Sequence, residues 1–198
     1  FDPAADRQML VATTRFRERL NKVVQKTFNP HGETHEKFDF RIGDKIICGR
    51  NQKIEINTGE ANAPIRITAN GETGRVTRFF EIKKTPYMEV LMPEGSLLKI
   101  SVGGQNDWCL ANAITVWKAQ GSQWPIIVSA VEDSYAADMI CDRAYHYTGL
   151  SRASKATFVV GSRTAMDRQC QRTSSVNRKT LLVEQMQSLS DAKLIEAI

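Results

Sequence analysis

The sequence predicts an α/β protein in which a parallel-sheet domain is interrupted by a small antiparallel β-barrel. An apolar strand-like run followed by an amphipathic helical segment opens the chain, and the same alternation returns after residue 103. Between these parts, residues 38–100 show a period of two with recurring glycine turns, which is typical of short antiparallel strands. We therefore assign 1–33 and 103–198 to the parallel-sheet domain and 34–102 to the inserted barrel.

The first predicted elements are a strand over 9–13 and a helix over 14–26. Apolar residues recur along the helix at helical spacing, at Phe16, Leu20, Val23 and Val24. Thr13 or Thr14 is placed to cap its amino terminus, because a threonine hydroxyl can accept a hydrogen bond from an unpaired amide of the first turn.

Five short strands are predicted for the inserted segment, at 44–48, 63–68, 74–82, 87–92 and 96–101. They are separated by turns at 57–59, 70–71 and 93–95, and the Asn-Gly dipeptide at 70–71 is a strong hairpin signal. So many short strands favour a barrel, because closure of the sheet hides its edges.

The α/β pattern resumes with a strand over 111–116 that leads into a helix and a buried strand over 126–131. A mainly helical segment follows over 134–151, and then a strand over 155–161. The tail 175–198 has the pattern of one or two amphipathic helices, with Leu181, Leu182, Met186 and Leu189 on one side.

Composition excludes several protein classes. The 198 residues are 41% hydrophobic and 25% charged, as in ordinary globular proteins, and no apolar run approaches the roughly 20 residues that span a bilayer. A net charge of +5 and a pI near 9.1 favour a polyanionic partner. Four dispersed cysteines and three scattered histidines predict neither disulfides nor a metal site. We expect a cytoplasmic protein, and a chain that begins at Phe1 rather than Met suggests a fragment.

The segment 114–124 joins a strand end to small, polar and basic residues. Small residues with available N–H groups let the backbone approach a phosphate closely. The segment resembles motif V of superfamily 1 helicases, "TVHKSQGSE", and the matching residues are Thr115, Val116, Lys118, Gln120, Gly121 and Ser122. Trp117 replaces the usual histidine and could stack on a base or pack in the core. Gln123 replaces an acid.

A second segment, 145–155, places Arg152 between a helix and a strand. A guanidinium at a domain edge can stabilise charge on a transferring γ-phosphate. The segment resembles motif VI of RecD-like helicases, "YTAxTRAR", with matches at Tyr147, Thr148, Ser151, Arg152, Ala153 and Lys155. Ser151 stands where threonine is usual.

Two further matches follow the family's order. Residues 9–25 resemble motif IV, "LAPTNxxxxxLN", with Asn21 at the final Asn. Residues 43–47 and 70–76 resemble the "GDKVI…NGExGxV" signature of the SH3-like barrel that is inserted before motif V in the second RecA-like domain. The resemblance covers about residues 7–165.

The resemblance implies the second RecA-like domain (P-loop NTPase type), with its SH3-like barrel, of a RecD-like superfamily 1 DNA helicase. Such a motor steps along single-stranded DNA, here 5′ to 3′, and unwinds duplex. ATP and Mg²⁺ would be bound mainly by the first RecA-like domain of the same protein. The implied catalytic residue is Arg152, and the implied nucleotide-binding residues are Gln120, Gly121, Gln123 and Arg152. The implied nucleic-acid-binding residues are Thr13, Thr14, Lys45, Arg75, Thr115, Trp117 and Lys118.

The sequence contains no G-x-x-x-x-G-K-S/T phosphate-binding loop. An arginine finger needs the lysine and Mg²⁺ that hold the β- and γ-phosphates, so we expect no ATP hydrolysis by this chain alone. Within the class, a viral RNA helicase or the helicase part of a conjugative relaxase has similar motifs. A different class also fits the sequence, namely a non-catalytic module that binds nucleic acid or docks a protein.

Overall fold

The computed structural model describes residues 6–59 and 63–173. The predicted tail 175–198 lies outside the described residues. In chain order the elements are β1 (Arg7–Val11), α1 (Thr14–Phe28), β2 (Lys45–Cys48), β3 (Gln52–Ile56), β4 (Ile65–Thr68), β5 (Thr73–Ile82), β6 (Thr85–Leu91), β7 (Leu97–Ser101), β8 (Trp108–Leu110), β9 (Ala113–Thr115), β10 (Trp124–Val131), α2 (Tyr135–Ile140), α3 (Arg143–Leu150), β11 (Ala153–Gly161) and α4 (Arg163–Cys170).

Four strands form a parallel sheet in the order β11-β10-β1-β9. β1 lies inside the sheet, with Val11 beside Thr115 of β9 and Met9 beside Val128 of β10. Since all four strands run in the same direction, their carboxyl ends meet at one edge and their amino ends at the other. The predicted parallel-sheet fold is confirmed.

Helix α1 follows β1 as predicted, and the Thr13 hydroxyl caps it by accepting a hydrogen bond from the amide of Phe16 at 3.2 Å. The predicted apolar face is only partly correct, because Val24 is buried while Val23 is 54% exposed. Asn21 is buried instead. Its side chain donates to the carbonyl oxygens of Leu110 and Ala113 and accepts from the Ala113 amide, so it ties α1 to β8 and β9.

The inserted segment forms an antiparallel sheet of seven strands in the order β4-β3-β7-β6-β5-β2-β8. The five predicted strands are confirmed, and the sequence analysis missed β3 and β8. The sheet curls around a core that includes Ile46, Val76, Met88, Val90 and Leu98. Among the described strands, β4 and β8 form the two ends of the sheet and are not paired with each other.

The two sheets are joined through β8 and β2. β8 pairs with β2 although it lies in the segment 103–198 that we assigned to the parallel-sheet domain. Directly after it, the amide of Ala111 donates to the carbonyl oxygen of Lys45 at 2.8 Å. A second core, with Leu10, Ile114 and Ile127 at its centre, lies beneath α2 and α3.

Two predicted elements differ in detail. The strand at 111–116 is shorter, and a single 3₁₀ turn at Val116–Ala119 takes the place of the helix expected after it. The helix expected over 134–151 is divided into α2 and α3, because Asp142 adopts an extended backbone and its carboxylate caps α3 through the amide of Tyr145 at 2.7 Å.

Cys48 and Cys141 are buried, Cys109 and Cys170 are half-buried, and all four thiols are free. Burial raises the pKa of the Cys141 thiol to about 12. None of the helices within 6–59 and 63–173 has the length and apolar character needed to cross a membrane.

Candidate functional site

The carboxyl edge of the parallel sheet gathers three of the predicted nucleic-acid-binding residues. Thr115 ends β9 beside Val11 of β1, and Thr13 and Thr14 follow two and three residues after Val11. Loops at this edge of a parallel sheet commonly carry binding residues, because adjacent strands deliver them to one place. Thr13 and Thr115 are half-buried and Thr14 is exposed.

Glu132, which follows β10 at the same edge, holds Thr13 in place. One carboxylate oxygen accepts from the backbone amides of Ala12 and Thr13 at 3.0 and 2.9 Å. The other accepts from the Thr13 hydroxyl at 2.7 Å. The sequence analysis assigned Glu132 no role, although its position directly after a predicted buried strand placed it at this edge.

The 3₁₀ turn after Thr115 presents Trp117 on the surface. Its side chain is 54% exposed, so the ring does not pack in the core. The ring meets Tyr145 edge-on, with centroids 6.1 Å apart and planes at 69°. Tyr145 is buried, and this burial raises the pKa of its phenol, so the ring that supports Trp117 stays neutral.

Residues 120–123 form an exposed loop between this turn and β10. Gly121 has a φ of +84°, a left-handed conformation that favours glycine, and a Cβ at this position would meet no atom within 4 Å. The loop borders a cavity of about 530 Å³ whose far wall belongs to the antiparallel sheet. On that wall, Arg66 is paired with Glu72 at 2.6 Å and with Glu94 at 2.8 Å, while Lys118 lines the near side.

Arg152 lies between the end of α3 and the start of β11, at the amino edge of the parallel sheet. Its side chain is half-buried and folds against its own helix end. Nε donates to the carbonyl oxygen of Thr148 at 3.2 Å, and Nη2 donates to the hydroxyl of Ser151 at 3.1 Å. Both acceptors are uncharged, so these bonds compete weakly with a phosphate oxygen.

One backbone contact at this amino edge links Arg152 to the strand that follows the loop of Gln120, Gly121 and Gln123. The amide of Trp124 donates to the carbonyl oxygen of Arg152 at 3.0 Å, which joins the start of β10 to the start of β11. Gln123 precedes Trp124 directly, and Gly121 lies in the same loop. The 3₁₀ turn and this loop thus lead the chain from Thr115 at the carboxyl edge to Trp124 at the amino edge, where Trp124 is bonded to Arg152.

The remaining predicted residues, Lys45 and Arg75, form a separate group. They are register partners on β2 and β5. Both line a cavity whose wall also includes Arg7 and Asn112. The ammonium group of Lys45 donates to the Oε1 of the buried Gln8 at 2.9 Å. The structure therefore does not place Lys45 and Arg75 with Thr13, Thr14 and Thr115.

A buried polar network behind α3 was not predicted. Nε2 of His146 lies 2.9 Å from Oε1 of Gln169, whose amide nitrogen donates to the Glu132 carbonyl oxygen at 3.1 Å and to Asp138 at 2.8 Å. Because Gln169 accepts from the ring, His146 carries its proton on Nε2. The hydrogen bond from Gln169 is the largest cause that lowers the pKa of Asp138. The network fixes α3, which ends two residues before Arg152, against α4 and the carboxyl end of β10.

Within the described part of the chain, no group of three or more His, Cys, Asp or Glu side chains is arranged to hold a metal ion.

Part of this chain is similar in sequence to a known protein family. Residues 110–160 match the family of UvrD-like helicase C-terminal domains. This stretch runs from the end of β8 to the end of β11 and includes Thr115, the 120–123 loop and Arg152.

Solved structures show a similar fold. The Pif1 helicase from Candida albicans is 15% identical, with a TM-score of 0.51 over 96% of this chain and 51% of that chain. The Pif1 helicase from Bacteroides in complex with ADP-AlF3 and ssDNA is 13% identical, with a TM-score of 0.54 over 94% of this chain and 45% of that chain. This chain thus spans about half the length of these helicases. Its fold is a RecA-like parallel-sheet domain interrupted by a curled antiparallel sheet, and residues 110–160 carry the sequence pattern of a UvrD-like helicase C-terminal domain.

Proposed function

We propose that this chain is the C-terminal motor region of an ATP-dependent superfamily 1 DNA helicase that moves 5′ to 3′ on single-stranded DNA and unwinds duplex. One observation carries the proposal. The segment that matches the helicase family links two opposite edges of one sheet, with Thr115 at the carboxyl edge and Arg152 at the amino edge. A motor needs such a link, because ATP turnover at one place must change the grip on DNA at another.

Arg152 acts in this proposal as the arginine finger. Its guanidinium leaves the neutral acceptors Thr148 and Ser151 and turns to the γ-phosphate of ATP, which is held by another domain. The positive charge stabilises the negative charge that spreads over the transferring phosphoryl group. The α3 helix, fixed by the bond between His146 and Gln169, gives Arg152 a rigid base.

The 120–123 loop lies against the same nucleotide. Gly121 has no side chain to hold the backbone away from a phosphate or ribose, and Gln120 and Gln123 are exposed beside it. Gln123 stands next to Trp124, whose amide donates to the carbonyl oxygen of Arg152, so a backbone hydrogen bond connects the loop to the finger.

The DNA strand lies at the carboxyl edge in this proposal. Thr14 and Thr115 contact phosphates, whereas Thr13, whose amide and hydroxyl donate to Glu132, positions the start of α1 beside them. Lys118 supplies charge, and Trp117 offers an exposed face on which a base can stack. The Bacteroides Pif1 helicase of similar fold was solved with ssDNA, which supports this choice of ligand. Lys45 and Arg75 belong to a second basic region beyond the main track. The inserted antiparallel sheet takes the role of the SH3-like barrel.

A first RecA-like domain of the same protein completes the ATP site and supplies the ligands of Mg²⁺. It also supplies the phosphate-binding loop that this sequence does not contain. The chain by itself binds single strands and does not turn over ATP.

Strand binding by this chain is tested by fluorescence anisotropy with labelled oligothymidylate across a salt series. We expect binding that weakens steeply with salt, because phosphate contacts release counterions. Lys118→Ala should reduce the affinity and the salt slope, whereas Lys83→Ala, in the exposed turn between β5 and β6, should leave both unchanged. Equal losses in the two variants would place the strand elsewhere, and tighter binding of oligouridylate would indicate an RNA helicase.

A further inference from the structure

We infer that the exposed face of α1 binds the phosphate backbone of double-stranded DNA through four cations that lie in one row. These cations, which we call the basic row, are Arg15, Arg19, Lys22 and Lys26. The inference rests on the proposed function for its ligand, because a motor that unwinds duplex meets double-stranded DNA beside the single strand that it holds. It goes beyond that function, because the row shares no residue with the proposed strand or nucleotide contacts.

The four cations lie on one face of α1 because of their spacing. The last three follow Arg15 by four, seven and eleven residues, and an α-helix returns to the same face at these intervals. All four residues are exposed. The buried residues of the helix, Asn21 and Val24, lie on its other side, where α1 packs against β1, β8 and β9. The row is therefore held on a packed helix and faces solvent along about 16 Å of its length.

The positive charge of the basic row is not neutralised within the part of the chain that the structure describes. The ion pair on this helix joins Arg17 to Glu18 at 3.1 Å, and among the described residues no carboxylate pairs with a cation of the row. Two pairs of cations within the row stand four residues apart, and like charges at this spacing repel each other and weaken a helix. Solvated helix faces commonly alternate acids with bases instead. A partner with regularly repeated negative charges removes this repulsion.

The surroundings of the basic row favour duplex over a single strand. Proteins that bind single strands usually add aromatic side chains on which bases stack. The exposed residues that border the row on its two sides are Glu18 and Val23, and neither can stack on a base. Each strand of a stiff duplex carries a phosphate about every 3.4 Å, so a straight row of about 16 Å reaches several phosphates. Such contacts carry no information about the bases, so this binding is independent of sequence.

The basic row begins beside the proposed strand track. Arg15 directly follows Thr14, and the row then runs along α1 away from the carboxyl edge of the parallel sheet. A duplex that lies along α1 therefore has one end at this edge, where its separated strand enters the track.

The test measures binding of a labelled, blunt-ended DNA duplex to the full 198-residue chain by fluorescence anisotropy across a salt series. Arg19→Gln with Lys22→Gln removes the centre of the row and keeps the helix, because the helix propensity of glutamine is close to that of arginine and lysine. We expect about tenfold weaker duplex binding at low salt and a salt slope that is shallower by about 1.8, because two phosphate contacts are lost. The affinity for oligothymidylate should stay within about twofold of the parent.

The matched control removes the same charge elsewhere on the surface. Lys83→Gln with Lys84→Gln, in the exposed turn between β5 and β6, should leave duplex binding and its salt slope unchanged. A further variant, Glu18→Gln, removes the acid that borders the row and should strengthen duplex binding about twofold. A gain of binding keeps the test decisive if the double variant of the row folds poorly, because an unfolded chain does not bind more tightly.

The outcomes separate this inference from the proposed function. Duplex affinity that is absent in the parent, unchanged in the row variants or equally reduced in the control would overturn the inference, and normal binding of oligothymidylate would then leave the proposed function standing. Duplex binding that depends on the row, in a parent that does not bind oligothymidylate, would support the inference and count against the strand track. Tighter binding of polyglutamate than of duplex at the row would also overturn the inference, because the partner would then be an acidic protein.

Discussion

Glu132 accepts two hydrogen bonds from Thr13, one from its amide at 2.9 Å and one from its hydroxyl at 2.7 Å. The pairing joins the carboxyl end of β10 to the residue that caps α1. It therefore fixes the carboxyl edge of the sheet at the place where the proposed DNA track begins.

Loss of this pairing should destabilise the protein measurably. We expect Glu132→Ala to lower the free energy of unfolding by about 2 kcal/mol, because three hydrogen bonds to a carboxylate are removed. Thr13→Ala should cost about 1 kcal/mol through the lost helix cap. Urea denaturation measures both, with Glu81→Ala, at an exposed position on β5, as the control. A Glu132 variant as stable as the parent would show that the pairing does not stabilise the edge.

Asn21 should be a second point of sensitivity. We expect Asn21→Ala to cost about 2 kcal/mol, because it leaves the Ala113 amide and two carbonyl groups without their partner. Lys22→Ala, on the exposed side of the same helix, should change stability little. Thermal unfolding followed by circular dichroism compares the two. Similar effects of both substitutions would contradict the anchoring role of Asn21.

Local patterns predicted most of the fold. The alternation of apolar residues identified β2, β4, β5, β6 and β7, and glycine-containing turns marked their ends. The turn between β5 and β6 carried no such signal, since it is formed by Lys83 and Lys84 with φ values of 49° and 66°. Short strands such as β8 are set by pairing with distant strands, which a local pattern does not contain.

The candidate site was predicted from family resemblance rather than from geometry. The sequence motifs singled out Arg152 and Gly121 as candidates, but they did not show that Lys45 and Arg75 lie apart from Thr13. The roles of Glu132 and His146 depend on contacts with residues far away in the chain. Such contacts become visible only when the sheet brings its strand ends together.

The buried carboxylate of Glu89 predicts a pH dependence of stability. Burial opposes its ionisation, but hydrogen bonds from Arg78, Asn57 and Thr77 outweigh this effect and lower the pKa of Glu89 below its ordinary value. The ionised group therefore stabilises the fold at neutral pH, and this stabilisation is lost as the pH falls through the lowered pKa.

We expect Glu89→Gln to be less stable than the parent at pH 7, by about 1–3 kcal/mol, and to lose less stability between pH 7 and pH 3. Urea midpoints measured at each pH give the comparison, and Glu81→Gln serves as the exposed control on β5. Parallel losses of stability in the parent and the Glu89 variant would contradict this assignment.

Trp117 predicts an optical signal for strand binding. It is the most exposed of the three tryptophans, so stacking of a base on its ring should quench the fluorescence of the chain. Trp117→Ala should weaken binding of oligothymidylate about tenfold, whereas Trp117→Phe should keep most of the affinity and lose the quenching. Unchanged affinity in the alanine variant would remove Trp117 from the DNA track.

The central claim is that Arg152 serves ATP turnover from a position apart from the DNA track. The most direct test is DNA-stimulated ATP hydrolysis by the longer protein that the proposal requires, with and without Arg152→Ala, and with Arg163→Ala as the surface control. We expect the Arg152 variant to lose about 10³-fold in turnover while its affinity for single-stranded DNA stays within about twofold of the parent. Near-normal turnover in that variant, or equal losses of turnover and DNA affinity, would contradict the assignment of Arg152 as the arginine finger.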